Sequence, residues 1–289
     1  MLVTILTLVA TGVLWGGVYL LMASGLNLIY GVMKIVNLAH GDFIVVGGLL
    51  TLTLFELHVN PLVALPAAAV LTFAVGALVE RGIVERLLGS GNGELRTLLA
   101  TFGLSYVISN VGLLLWGAQF QSVPFLEGSV HVFGINLPEN LLVCSLVAFA
   151  FAGAVHVWLT WTMSGKAVRA TSQSAIGAAA CGLSIRRIRL IAFALGCAMA
   201  GAAGSLTITL IPVQNSSGGP LTVLAFTVIA LGGLGNYVGA FLAAVILGVA
   251  EVWTSYQFGS DAAAAVVYIL FVLILVFRPQ GILGRAARV

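Results

Sequence analysis

A few polar residues inside or beside strongly apolar runs carry the chemistry available to this chain. The stretch NLAHGD places Asn37, His40, Gly41 and Asp42 directly after the first apolar run. Asp42 is positioned to cap the N-terminus of the next helix, because a carboxylate there meets free N–H groups and the positive end of the helix dipole. Irregular backbone at membrane depth is tolerated only where protein or a water-filled cavity covers it. The pattern predicts either a broken helix on a transport pathway or a plain turn with a capping aspartate.

Glu251 is the second candidate, because it lies deep inside an otherwise apolar run. An acid within a membrane is costly and is treated as functional by default. No basic residue lies at a comparable depth, so we expect Glu251 to be protonated, hydrogen-bonded to Ser255 or Tyr256, or in contact with water. His156, a lone histidine among aromatic residues, fits a packed core or interface position better than a ligand site.

The segment 163–189 is the longest interval that cannot lie in lipid. It holds five of the twelve basic residues and no Asp or Glu. Its small, apolar centre has the pattern of a short helix, which Ser172 or Ser174 can cap at the start and Gly182 can end in the left-handed conformation. The segment is either a docking element for a soluble partner or a loop whose charges only fix topology.

Signals for catalysis are absent from the sequence. The three cysteines lie in or beside apolar runs without metal-ligand spacing, and they read as small packing residues. The nearest approach to a phosphate-binding loop, Gly165-Lys166, lacks both the following Ser or Thr and the first Gly. We therefore predict that the chain is not an enzyme and binds no metal or cofactor itself.

The elements that position these residues are membrane spans. The chain has 289 residues, of which 61% are hydrophobic and 7% charged, against roughly 25% charged residues in a soluble domain. We expect an all-α polytopic membrane protein, a single domain over residues 1–289, with about eight transmembrane helices and a broken or re-entrant element near residues 30–42. The run at 221–233 is short and is either tilted or re-entrant. The apolar runs are 2–30, 43–57, 61–79, 97–117, 141–161, 190–211, 221–233, 238–257 and 262–277.

Charge placement predicts the orientation of these spans. If segment 163–189 is cytoplasmic, all twelve Lys and Arg residues fall on that side, as the positive-inside rule requires. Among Asp, Glu, Lys and Arg, the outer intervals then hold only acidic residues, namely Glu56, Glu127, Glu139 and Asp261. We expect the N-terminus outside and the C-terminus, with Arg278, Arg285 and Arg288, inside. This asymmetry explains the net charge of +3 and gives no reason to expect nucleic-acid binding.

Four blocks of the sequence together resemble the permease subunits of branched-chain amino-acid ABC importers, the LivH-like group. GLNLIYGVMKIVNLAHGDF (25–43) resembles the signature of that family, and GKAVRATSQSAIGAAACGLSIRRIR (165–189) looks like its coupling segment. ALGGLGNYVGAFLAAVILGVAE (230–251) and FRPQGILG (277–284) are similar to two later blocks. Members often carry an acidic residue near the start of the coupling helix, where this chain has Gln173-Ser174.

The resemblance implies a permease that carries branched-chain or related small amino acids across a bacterial cytoplasmic membrane by alternating access. The implied partners are a second related permease, two cytoplasmic ABC ATPases that use ATP and Mg²⁺, a periplasmic or lipid-anchored substrate-binding protein and membrane lipid. The implied ATPase-coupling residues are Ser172, Gln173, Ser174, Ala175, Ala178, Ala179, Gly182 and Leu183. The expected translocation-pathway residues are Asn37, His40, Gly41, Asp42 and Glu251.

Three alternatives stay open at this point. Relatives within the family carry urea, short amides or other small amino acids, and the motifs do not separate these substrates. A chain of a different class, an ion-coupled secondary transporter, would use Glu251, His156 and Asp42 as relays and would not need a docking loop. A channel is disfavoured, since no charged ring or carbonyl filter motif occurs. Neighbouring ATPase and binding-protein genes would decide for the ABC importer.

Overall fold

The computed structural model of the chain describes residues 1–88, 92–132, 134–278 and 280–283. Within these residues the structure is almost entirely helical, with one two-stranded antiparallel hairpin. The elements are α1 Leu2–Met33, α2 His40–Glu56, α3 Pro61–Val79, a π-helical turn Glu80–Val84, α4 Glu85–Leu88, α5 Gly93–Trp116, β1 Ser129–Val132, β2 Ile135–Pro138, α6 Glu139–Trp161, α7 Met163–Gln173, α8 Ala175–Ala180, α9 Ile185–Thr207, a 3₁₀ turn Asn215–Ser217, α10 Gly218–Gly232, α11 Tyr237–Phe258 and α12 Ser260–Phe277.

Seven of the described helical stretches are long and apolar enough to cross a membrane. They contain α1, α3 with α4, α5, α6, α9, α11 and α12. The remaining long helices, α2 and α10, have only 17 and 15 residues, against the ~20 that a perpendicular crossing needs. The all-α polytopic fold is therefore confirmed. The predicted number of about eight transmembrane helices lies between seven, without α2 and α10, and nine, with them. Only an odd number of crossings places the two termini on opposite sides of the membrane.

The predicted break near residues 30–42 is confirmed. α1 ends at Met33, Lys34 adopts the left-handed conformation with φ 56°, and α2 begins only at His40. The His40 ring is hydrogen-bonded through Nε2 to the carbonyl oxygen of Met22, 2.8 Å away. Met22 precedes the end of α1 by eleven residues, which corresponds to about 16 Å of helix. The chain therefore turns back, and α2 starts part of the way up the side of α1.

The two short helices begin against each other. The Gly41 N–H in the first turn of α2 donates to Thr222 Oγ1, the fifth residue of α10, at 2.8 Å. Gly218, the first residue of α10, lies directly against the Asp42 carboxylate. From this meeting point α2 runs toward the end of α1 that begins at Leu2. α10 runs the opposite way, since the turn after it donates from Gly235 N–H to Asn27 Oδ1 at 2.7 Å.

Helix α9 forms the centre of the bundle. It is the most buried of the seven stretches, with 83% of the residues in its most apolar 18-residue part buried. α1, α2 and α3 pack around it. Glycines make the closest approaches, with Gly201 against Gly47 and Gly204 against the backbone of Ile44. Small residues permit such contacts, which drive helix association where lipid removes the hydrophobic effect. α5 and α12 lie at the periphery, with only 11% and 17% of the corresponding parts buried.

One end of the bundle, which we call the basic end, gathers the described Lys and Arg residues. Arg186 at the start of α9 forms an ion pair with Glu85 in α4. The C-terminal segment reaches the same end, where Asn236 donates to the Leu283 carbonyl oxygen at 2.9 Å. Arg285 and Arg288 lie outside the described residues. The β1–β2 hairpin lies between α5 and α6, whose facing ends are at the opposite pole.

Candidate functional site

The break between α1 and α2 buries the residues that the sequence singled out. Asn37 and His40 have no exposed surface, and Asp42 is 3% exposed. Asn37 Oδ1 accepts from the Ala39 N–H at 3.2 Å and so fixes the turn that precedes α2. Asp42 is not the N-cap, as the sequence had suggested, since that position belongs to Ala39. Asp42 instead lies in the first turn of α2, where its carboxylate still meets the positive end of the helix dipole.

These three side chains are only partly satisfied. Asn37 Nδ2, His40 Nδ1 and Asp42 Oδ2 are buried without a hydrogen-bond partner among the described protein atoms. Leaving a buried polar group unpaired costs about 1–3 kcal/mol, so a cluster of three is expensive. These groups lie where two helices meet N-terminus to N-terminus, so the cluster has spare donors and acceptors beside the positive ends of two helix dipoles.

Helix α5 covers this cluster with a row of hydroxyl groups that sequence analysis missed. Thr101 Oγ1 accepts from the Leu38 N–H at 3.3 Å, and Ser109 Oγ donates to the Asn215 carbonyl oxygen at 3.1 Å. α5 therefore bonds to both irregular segments, the one before α2 and the one before α10. The spacing was the available signal, because residues four apart share a helix face. The row is Thr97, Thr101, Ser105 and Ser109.

Glu251 lies apart from the break cluster. Its Oε2 accepts from the Tyr19 hydroxyl of α1 at 2.7 Å, and neither Ser255 nor Tyr256 is its partner, which corrects the sequence-based expectation. Tyr19 is only 6% exposed. Among the described residues, no hydrogen bond joins Glu251 to the residues at 37–42. The predicted pathway residues therefore fall into two groups. The break residues contact α1 at Met22, and Glu251 contacts α1 at Tyr19, about one turn away.

His156 lies on the wall of two adjoining cavities rather than in a packed core. The first cavity, of 640 Å³, lies between α1, α6 and α11 and has mostly apolar walls. The second, of 810 Å³, continues to the basic end and is lined by Lys34, Arg169 and Gln173 among others. His156 and Tyr237 line both cavities, and their ring centroids are 6.1 Å apart.

The segment 163–189 forms two helices, and the short one is capped as the sequence predicts. Ser174 Oγ accepts from the Gly177 N–H at 3.0 Å, which makes Ser174 the N-cap of α8. Gly182 has φ +80° and donates to the Ala179 carbonyl oxygen at 2.9 Å. Ser172 is not the cap, since it belongs to α7 and its Oγ donates to the Arg169 carbonyl oxygen at 2.8 Å.

The exposed face of α8 differs from the expected set of coupling residues. Ile176 is 86% exposed, whereas Ala178 is 5% exposed and faces the protein. Ala179 is exposed and Ala175 is half-buried. Gln173 and Ser172 line the cavity at the basic end. Ile176 was not in the expected set because an apolar residue within an apolar pattern has no distinguishing signal in the sequence, and only the structure shows that it points outward.

Comparison with known proteins identifies the family. The chain matches the family described as branched-chain amino acid transport system / permease component over residues 8–277. The high-affinity branched-chain amino acid transport system permease protein BraD of Pseudomonas aeruginosa is 30% identical, over 95% of this chain and 94% of the relative.

Two permease proteins of one organism are both similar to this chain. LivH of Escherichia coli K12 is 28% identical over 95% of this chain and 94% of its own length. LivM of the same strain is 26% identical over 92% of this chain and 68% of its own length. Both are named as permease proteins of a high-affinity branched-chain amino acid transport system. The matches span the described helices, the break and the capped helix α8, and the chain belongs to the family of branched-chain amino acid transport system permease components.

Proposed function

We propose that this chain is a permease subunit of an ATP-driven importer for branched-chain or closely related amino acids. The names of its relatives support this substrate class over urea and short amides. The similarity to both LivH and LivM supports a second, related permease as partner. ATP and Mg²⁺ would be used by two separate ATPase subunits at the basic end, and a substrate-binding protein would deliver the amino acid at the opposite, outer end.

The proposal rests chiefly on the structure of α8, a short capped helix with an exposed isoleucine. A six-residue helix, capped at both ends, stands at the basic end with an isoleucine that is 86% exposed. Ile176 lies outside the predicted membrane spans, so covering this side chain with a soluble partner would gain about 1.5–3 kcal/mol. The ion pair between Arg186 and Glu85 joins the start of α9, which follows α8, to α4, which precedes α5. An ATPase that moves α8 therefore has a direct connection toward the helix that covers the break.

Alternating access would act on the meeting point of α2 and α10. The two helices are too short to cross alone and touch near the N-terminus of each, at Gly41 and Thr222. Separating them would expose the unpaired groups of Asn37, His40 and Asp42 to water or substrate. The secondary-transporter alternative is less well supported, because the described hydrogen bonds do not connect Glu251, His156 and Asp42 into a relay.

The experiment replaces Ile176 with Glu and follows the ATPases. Removing a buried isoleucine side chain from a contact costs about 1.5–3 kcal/mol, so we expect at least about a tenfold weaker association with the ATPase subunits. Uptake should fall in parallel, while the amount of inserted chain stays the same because Ile176 makes little contact within the fold. The matched control is Leu57→Glu, at a position 68% exposed and just beyond the outer end of α2. If the Ile176→Glu protein purifies with its ATPases and transports normally, α8 is not the coupling helix.

A further inference from the structure

Helix α5 presents polar groups outward at membrane depth. It is the least buried of the seven membrane-length stretches, with 11% of its most apolar 18 residues buried. Its exposed surface includes two polar residues, Tyr106 at 60% exposure and Asn110. Asn110 precedes Trp116, the last residue of the helix, by six residues, or about 9 Å. A tryptophan at a helix end is typical of the membrane interface. Asn110 and Tyr106 therefore lie within the hydrocarbon layer, which is about 30 Å thick.

The hydrogen bonds on α5 leave this outward face unsatisfied. The Asn110 amide donates to the Tyr106 carbonyl oxygen of its own helix at 2.7 Å, and the described residues offer the side chain no other bond. Helix α3 differs from α5 in this respect. Its exposed residues are all apolar, and its one polar side chain, Thr72, is buried. A polar face at this depth is expensive against lipid, so a protein partner that covers it would stabilise the chain.

The face is also shaped for a close helix contact. Gly103, Tyr106 and Asn110 follow one another at spacings of three and four, which places them along one side of the helix. Gly103 is exposed and has open space where a side chain would stand. Small residues beside hydrogen-bonding side chains are the usual composition of helix contacts within membranes.

We propose that the face of α5 formed by Gly103, Tyr106 and Asn110 packs against a second, related permease chain, with the Asn110 carboxamide hydrogen-bonded across the contact. This inference rests on the proposed function, and the similarity of the chain to two different permeases of one organism selects a permease as the occupant. The opposite face of α5 bonds to the break through Thr101 and Ser109. The break would then lie one helix away from the junction of the two permeases.

The test is site-specific photocrosslinking in the complete transporter. A benzophenone amino acid replaces Tyr106 in the chain co-expressed with its partner subunits, and the complex is irradiated in membranes. We expect a covalent product containing peptides of the second permease. The matched control carries the same group at Phe73 of α3, which is also aromatic and 39% exposed, and should give no such product. A permease product from position 73 and none from position 106, or only lipid adducts at 106, would overturn the interface.

A second variant tests the carboxamide. Asn110→Leu should reduce co-purification of the second permease by about threefold, the effect of one hydrogen bond between membrane helices. Against lipid the same change would leave co-purification unchanged, which would contradict the proposal. The wild-type complex separates this inference from the proposed function. If a second permease and ATPases co-purify but crosslink only elsewhere, the interface alone is wrong, whereas a wild-type chain that purifies without them removes both.

Discussion

At the scale of single residues, the bond between Tyr19 and Glu251 links α1 to α11 inside the bundle. The Glu251 carboxyl group accepts at 2.7 Å from a tyrosine that is almost fully buried. The bond has one of two roles: it holds α1 and α11 together, or it keeps in place a polar group that transport needs. Removing one partner of such a bond is costly, whereas replacing both by apolar groups can be nearly neutral. Comparing a single with a double replacement therefore distinguishes the structural role from the role in transport.

We predict that Tyr19→Phe lowers the free energy of unfolding by about 1–3 kcal/mol, because Glu251 then loses its only described partner. The double variant Tyr19→Phe with Glu251→Leu should recover much of that loss. Uptake should stay low in the double variant if Glu251 serves the pathway. Thermal unfolding of the purified chain and uptake in cells give the two measurements. Recovery of uptake together with stability would make Glu251 a structural residue only.

Residue types and spacing reveal candidate groups but not their partners. The sequence located Asn37, His40 and Asp42 because polar residues are conspicuous between apolar runs. It could not find the partner of Glu251, since Tyr19 is 232 residues away and only tertiary packing brings the two together. The sequence favoured a packed core or interface position for His156 for a similar reason, because a cavity wall has no local signature.

At the scale of elements, the contact between α2 and α10 depends on glycine. A side chain at Gly41 would overlap the Gly218 carbonyl oxygen and crowd Thr222. We predict that Gly41→Ala destabilises the chain by about 1–3 kcal/mol, the usual cost of overpacking, and abolishes uptake. The measurement is the thermal unfolding midpoint, together with uptake.

Gly153→Ala in α6 is the matched control for this change. That glycine also lies in a helix, but nothing lies within 4 Å of the position of an added Cβ. Alanine there should be neutral or stabilising by up to about 1 kcal/mol, because it favours the helix. Equal effects of the two substitutions would mean that the close contact at Gly41 is not what holds the helices together.

The elements were predictable in proportion to the length of their apolar runs. Long runs such as 61–79 gave helices with nearly the predicted bounds, and the caps at Ser174 and Gly182 follow from local chemistry. Whether α2 crosses the membrane was not predictable, because the short apolar run 43–57 fits both a crossing and a half-helix. Its contact with Met22 of α1 decides the matter, and that contact is not encoded in the run itself.

At the scale of the whole molecule, charge and fold agree on two distinct ends. Arg81 borders the α4 segment that pairs with Arg186, and Arg169 shares a cavity with Lys34. These groups therefore meet at one end of the bundle although they are far apart in sequence. The β1–β2 hairpin between α5 and α6 has no Lys or Arg. On the positive-inside rule we propose that the basic end faces the cytoplasm.

We predict that single cysteines at Arg81 and Arg169 resist an impermeant thiol reagent in intact cells, while one at Ser129 reacts. All three positions are exposed on the chain, so access from one side of the membrane, rather than burial, decides the result. The background must lack Cys181, which is exposed, whereas Cys144 and Cys197 are buried. Permeabilised cells provide the control, because all three positions should then react. Labelling of position 81 or 169 from outside intact cells would reverse the orientation, and α8 would then face away from any cytoplasmic ATPase.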